Sequence, residues 1–101
     1  MEMKTKVAPE SAELQAGKVI DVALFSKGIK DKIDNKEISI SFGNYVLKWI
    51  GENVHGFEGR YGAIDDKKLK KAVDNDYGKG TYHKHLEHLF GDAYNAALFA
   101  F

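Results

Sequence analysis

The strongest pattern in the chain is a broad apolar stripe between Ser41 and Val54. At about 100° of rotation per helical residue, its large side chains fall on one face of a helix. These side chains are Phe42, Tyr45, Val46, Trp49 and Ile50, with Leu47 and Val54 at the margins. The stripe spans roughly 200°, about twice the width that a surface helix needs. We therefore predict a central helix with Trp49 near the middle of the core and the first and last helices packed on it.

Three further helices follow from apolar residues at helical spacing. The first is predicted to start at Pro9 and to end near Lys27 and Gly28. The next covers residues 65–77, capped by Asp65 or Asp66, and the last runs from a cap at Thr81 to Phe101. Residues 1–8 lack any period and are predicted to form a flexible N-terminal arm. Residues 9–101 are thus expected to form a single, mainly α domain, a compact bundle of about four helices.

The segment from 29 to 42 allows two interpretations. Ile38, Ile40 and Phe42 alternate with two serines, which is typical of a small β-hairpin turning at residues 34–36. In the alternative, Asn35 ends one helix and Ser39 or Ser41 caps the next, because serine side chains accept hydrogen bonds from free amides at a helix start. The helical stripe that begins at Phe42 favours the second interpretation.

The amino-acid composition indicates a single packed domain and excludes several classes of site. The chain has 101 residues, of which 44% are hydrophobic and 12% aromatic, as expected for one domain with a packed core. Basic and acidic residues number 15 each, so net charge does not direct the protein to nucleic acid or membranes. The absence of cysteine excludes disulfides and thiolate metal sites. No apolar run suits a signal peptide or a membrane span, so we expect a soluble, cytoplasmic protein without membrane contact.

Histidines and a glycine-rich break offer two candidate ligand sites. His85 and His88 lie about 60° apart on one helix face and, with His55, form a candidate metal site. His83 and Glu87 pair on a different edge of that helix, and a zinc-protease signature is absent. In the segment YGKGTY, the helix-start amides next to Lys79, Gly80 and Thr81 form a candidate anion site, although the P-loop spacing is not met. Solvated histidines and an ordinary helix break explain the same residues.

Neither nucleic-acid binding nor catalysis receives comparable support. Four lysines crowd the third helix, but the surplus of positive charge between residues 60 and 88 is only two, and no arginine, asparagine or glutamine stands where base edges are read. We therefore expect nucleic-acid binding to be unlikely. No nucleophile motif is present, and the carboxylate pairs fall at helix ends, so neither an enzyme nor a cofactor is predicted. No motif is specific enough to indicate a family.

The C-terminus suggests a protein-binding surface instead. The last helix ends in AYNAALFAF, which is apolar on both sides, and one core contact covers only one side. A second surface is predicted in the aromatic, glycine-rich connection from 55 to 61. The candidate interaction residues are Phe57, Tyr61, Tyr94, Leu98, Phe99 and Phe101. These observations predict a small non-catalytic module that binds another protein or a second copy of itself.

Overall fold

The computed structural model describes residues 17–100. The predicted arm at residues 1–8, the helix start at Pro9 and the terminal Phe101 lie outside this part of the chain. Within it, the prediction of a compact, mainly α fold is confirmed, and the helices are accompanied by a small antiparallel sheet. The strands and helices are β1 (Lys18–Asp21), α1 (Val22–Asp34), α2 (Ile40–Asn53), β2 (His55–Glu58), β3 (Tyr61–Ile64), α3 (Asp66–Tyr77), α4 (Thr81–His85) and α5 (Glu87–Ala100).

The predicted first helix is wrong at residues 17–21, whereas its residues 22–28 are helical. Gly17 has a φ of 96°, which breaks any helix there, and a Cβ at this position would lie 2.0 Å from the carbonyl oxygen of Ile64. The next four residues form β1, which pairs antiparallel with β3. Helix α1 starts only at Val22 and continues past Gly28 to Asp34. The apparent helical spacing of Val19 and Ile20 therefore belongs to a strand.

The segment from 29 to 42 follows the capped-helix interpretation, so a hairpin around these residues is wrong. Asn35 ends α1, and its backbone N–H donates to the carbonyl oxygen of Asp31 at 2.9 Å. Ser39 caps α2, where its hydroxyl accepts from the amide of Phe42 at 3.0 Å. Lys36, between the two helices, takes the left-handed conformation with a φ of 63°. The alternation of isoleucines and serines thus reflects a helix cap and not a strand.

The hairpin lies instead in residues 55–64, which we had predicted as an irregular connection. Gly59, with a φ of 66°, and Arg60 form a two-residue turn between β2 and β3. Such turns favour glycine at the position that needs a positive φ. Strand β3 occupies the middle of a three-stranded antiparallel sheet in the order β1-β3-β2. At Gly62 the sheet lies close to the end of α2, since a Cβ there would be 2.4 Å from a methyl of Val54.

The core lies between α5, the sheet and α1. Helix α5 packs on β1 and α1, and α1 also packs on α2. Phe25 of α1 is fully buried and meets Phe90 of α5 edge to face, with ring centroids 5.7 Å apart. Trp49 is only partly buried at the margin of this core, so its predicted central position is wrong. Helix α2 therefore lies at one side of the core and not at its centre. The last helix, α5, packs mainly on β1 and α1, and the sequence did not predict β1.

Asp21 joins the sheet to α1 through its buried carboxylate. Its Oδ1 caps α1 by accepting from the amide of Leu24 at 3.0 Å. The guanidinium of Arg60 donates to both carboxylate oxygens, from Nε at 3.1 Å and from Nη2 at 2.8 Å. The carbonyl oxygen of Arg60 also accepts from the amide of Val22. One carboxylate thus fixes the start of α1 against the turn of the hairpin.

The charge of Asp21 is stabilised despite its burial. Burial raises the pKa of the carboxyl group, but the hydrogen bonds from Arg60 and from the Leu24 amide outweigh that effect and hold the pKa below its usual value. A carboxyl group with a lowered folded-state pKa stabilises the fold above its unfolded-state pKa of about 3.9. This stabilisation is lost as the pH falls through the lower pKa of the folded state.

We expect Asp21→Ala to lower the free energy of unfolding by at least about 1–2 kcal/mol, the usual effect of a lost helix cap. Asp21→Asn retains an acceptor for the cap and should cost less. Urea unfolding at neutral pH and near pH 3 measures both effects. The wild type should lose more stability on acidification than Asp21→Asn does, because only the wild type carries the titrating carboxylate. Equal acid sensitivity of the two proteins would contradict the role of the ion pair.

Gly17→Ala is expected to destabilise the fold strongly, since alanine must adopt a positive φ and its Cβ meets the backbone of Ile64. Gly51→Ala is the matched control, because Gly51 lies within α2 with open space around its Cβ position. That control should leave stability unchanged or raise it by up to about 1 kcal/mol. Thermal unfolding followed by circular dichroism compares the two variants.

Candidate functional site

The C-terminal part of α5 presents apolar side chains on two sides. Ala93 and Ala97 are buried on the side that faces the core. Phe99 lies roughly 200° around the helix from Ala97 and is 92% exposed. Leu98 is 55% exposed beside it. The structure therefore leaves Leu98 and Phe99 uncovered by residues 17–100, and we call these two residues the C-terminal apolar face.

Tyr94, a third predicted interaction residue, belongs to different surroundings. Its ring is partly buried and lies beneath the ammonium group of Lys18, which is 5.4 Å from the ring centroid. A cation at this distance is attracted to the electron-rich face of the ring. Tyr94 therefore faces the flank of α5 that is next to β1 and is separate from Phe99.

The predicted interaction residues Phe57 and Tyr61 both lie on the hairpin. Phe57 is 55% exposed on β2, which is an edge strand of the sheet. Tyr61 is partly buried on β3 and pairs across the sheet with Asp21. Both residues belong to the sheet, but only Phe57 is an exposed aromatic side chain.

The histidines do not assemble into a metal site. Across residues 17–100, no three or more histidine, aspartate or glutamate side chains are arranged to hold a metal ion, so His55, His85 and His88 are not brought together. The ring of His85 lies 6.1 Å from that of Phe42, and burial, followed by the charge of Lys84, lowers its pKa. His83 pairs with Glu87 through Nδ1 and Oε1. Packing and pairing thus account for two of these imidazoles.

The amides at the start of α4 already have protein acceptors. The amide of Thr81 donates to the carbonyl oxygen of Gly78 at 3.1 Å, and that of Tyr82 donates to Oδ1 of Asp74 at 3.0 Å. The hydroxyl of Thr81 donates to the carbonyl oxygen of Gly78 at 2.6 Å and does not cap the helix as predicted. The carboxylate of Asp74 therefore occupies the position that an anion beside Lys79 and Gly80 would take.

A cleft that the sequence did not predict lies on the flank of α5 that carries Tyr94. Its volume is about 520 Å³, and β1, α3, α4 and α5 all contribute to its walls. Glu87, Gly91 and Tyr94 recur at the spacing that places residues on one side of a helix. The remaining lining residues are Lys18, Asp66, Lys67, Lys70, Tyr82, His83 and Phe90. In the sequence, this site is visible only as lysines spaced one turn apart on α3 and aromatic residues on α4 and α5. Whether these helices lie next to each other depends on the fold.

The cleft combines aromatic side chains with lysines that have no acidic partner among residues 17–100. Lys18 approaches the carboxylate of Asp66 at 3.4 Å. Lys67 and Lys70, one helical turn apart on α3, form no ion pair within the described chain. Tyr82 is only 5% exposed, and its hydroxyl makes no hydrogen bond to any residue from 17 to 100. Burial, followed by the charges of Asp66 and Glu87, raises the pKa of this hydroxyl, so it stays protonated and can donate.

Comparisons with protein-family models, with curated proteins and with solved structures find no match to this chain. Within residues 17–100, none of the helices combines the length and the apolar character that are needed to cross a lipid bilayer.

We expect Asp74→Ala to destabilise the fold by about 0.5–2 kcal/mol, because it removes the acceptor for the Tyr82 amide at the start of α4. Asp92→Ala is the control, since Asp92 is exposed on α5 and should change stability by less than about 0.5 kcal/mol. Chemical denaturation of both variants provides the comparison. An equal loss of stability in the two would show that the Asp74 contact does not act as a cap.

Proposed function

We propose that this protein is a non-catalytic association module that binds a second copy of itself through the C-terminal apolar face. The exposure of Phe99 is the observation that carries the proposal. A phenylalanine that is 92% exposed gains little from packing on residues 17–100, although its helix is buried on the opposite side. Large apolar surfaces left exposed on small domains often mark sites of association.

Symmetry makes a second copy the best-suited occupant. In a two-fold dimer the same face occurs on both subunits, so one contact covers two copies of Leu98 and two of Phe99. Burying a large apolar side chain contributes roughly 1.5–3 kcal/mol, which favours a contact centred on these residues. The chain carries 15 basic and 15 acidic residues, so net charge does not oppose association.

The exposed Phe57 on the edge strand is a second, smaller contact surface in this proposal. An edge strand offers unpaired backbone groups, and an exposed aromatic beside them adds apolar contact area. The protein then acts by binding and not by chemistry. A cysteine-free chain suits the reducing conditions of the cytoplasm, which is the location we propose.

The experiment is sedimentation velocity over a concentration series, from micromolar to several hundred micromolar. We expect the wild type to shift toward a dimer as concentration rises. Phe99→Ser should raise the dimer dissociation constant by about tenfold or more, because it removes a central apolar contact from both subunits.

Ile40→Ser is the matched control, because Ile40 is a 67% exposed isoleucine at the start of α2, away from the C-terminal apolar face. It should leave the dissociation constant within about twofold of the wild type. A wild type that stays monomeric over the whole series contradicts the proposal. Equal effects of Phe99→Ser and Ile40→Ser would exclude α5 as the contact.

A further inference from the structure

We propose that the cleft between α3 and α5 binds a small organic anion with a planar aromatic body. The lining of this site includes neither Leu98 nor Phe99, so the proposal does not rest on self-association. The proposal rests on three features that meet in one cavity of about 520 Å³. These are two lysines that form no ion pair with residues 17–100, a set of aromatic side chains, and the hydroxyl of Tyr82, which makes no hydrogen bond to that part of the chain. Small-molecule sites in proteins have volumes of roughly 300–1,000 Å³.

The charges in the cleft favour a negative ligand. Three lysines line it against two carboxylates, and Glu87 is already paired with His83. Lys18 is shared between Asp66 and the ring of Tyr94. Lys67 and Lys70 therefore remain for a ligand, and two ammonium groups one turn apart can both reach a carboxylate or a phosphate.

The floor of the cleft favours a flat, apolar ligand body. Phe90 and Tyr82 are buried, and Tyr94 is partly buried, so their rings form an apolar surface that is already held in place by the core. Aromatic rings prefer offset-stacked or edge-to-face contact with another ring. A planar aromatic ligand is therefore a better fit than a compact inorganic ion.

Tyr82 supplies the most specific part of the argument. A buried hydroxyl without a hydrogen-bond partner is unfavourable for the fold, and such groups normally have a partner. Tyr82 lines the cleft together with Asp66 and Glu87, the two carboxylates whose charges act on its hydroxyl. An acceptor atom on a ligand would satisfy it.

Gly91 keeps the cleft open. It lies on the α5 flank between Glu87 and Tyr94, and a Cβ at this position would meet no atom within 4 Å. A larger side chain there would extend into the cavity without a clash with the protein. Gly91→Leu is thus a variant that fills the site and spares the core.

The test is an NMR titration of ¹⁵N-labelled protein with naphthalene-2-carboxylate. We expect saturable shifts centred on the amides of Lys67, Lys70, Gly91 and Tyr94. The neutral naphthalene-2-carboxamide and inorganic phosphate should each bind at least about tenfold more weakly, because each lacks one of the two recognised features. Phenyl phosphate should bind if the anionic head, and not the carboxylate as such, is recognised. Equal affinity for the carboxamide would overturn the proposal, as would shifts located away from the cleft.

Matched variants separate the site from general effects. Lys70→Gln should weaken binding about tenfold, whereas Lys71→Gln, on the same helix but outside the cleft, should change it less than about twofold. Gly91→Leu should abolish binding, and Gly51→Leu on α2 should not. Tyr82→Phe should weaken binding several-fold without lowering the unfolding temperature, a combination that a purely structural role would not produce. Unchanged affinity in both Lys70→Gln and Gly91→Leu would refute the site.

Discussion

The arrangement of this fold depends on the ion pair between the buried carboxylate of Asp21 and the guanidinium of Arg60. The carboxylate ends β1, caps α1 and holds the guanidinium of Arg60 at the turn of the hairpin. Without this contact, the hairpin and α1 would be joined only through backbone pairing and apolar packing. Because the carboxylate is buried while the side chain of Arg60 is 55% exposed, the acid is the partner that cannot return to water within the folded state. The ion pair therefore fixes the position of the hairpin relative to the start of α1.

The position of the sheet decides the surroundings of α5. Strand β1 lies against α5 and, with α1, covers its core-facing side. Lys18 of the same strand reaches Tyr94 and Asp66 at the cleft. One short strand thus closes the core on one side and completes a candidate ligand site on the other. Leu98 lies one turn beyond Tyr94 on the cleft side of α5, whereas Phe99 lies about 140° around the helix from Tyr94. Substitutions at Phe99 and at Gly91 therefore test the two proposed binding activities separately.

Small side chains at a few positions control how closely these elements approach. Gly17 and Gly62 lie against the backbone of Ile64 and a methyl of Val54, so larger residues there would separate the sheet from its neighbours. Gly91, by contrast, faces open space and keeps a cavity open. At these three positions glycine serves two physical purposes, close packing and the preservation of volume, and only the three-dimensional contacts distinguish them.

The sequence by itself determined the helices that rest on local signals. Apolar spacing with a cap at Ser39 predicts α2, and apolar spacing with a cap at Asp65 predicts α3. Asn35 marks the end of α1. These signals can be recognised because caps and periodicity act within a few residues. The tertiary structure alone decided β1, the hairpin and the cleft. A four-residue strand carries too little local signal, and its pairing of Lys18 with Ile64 joins residues distant in the chain. Lys18 of β1 lines the cleft, so the cleft could not be predicted before that pairing was known.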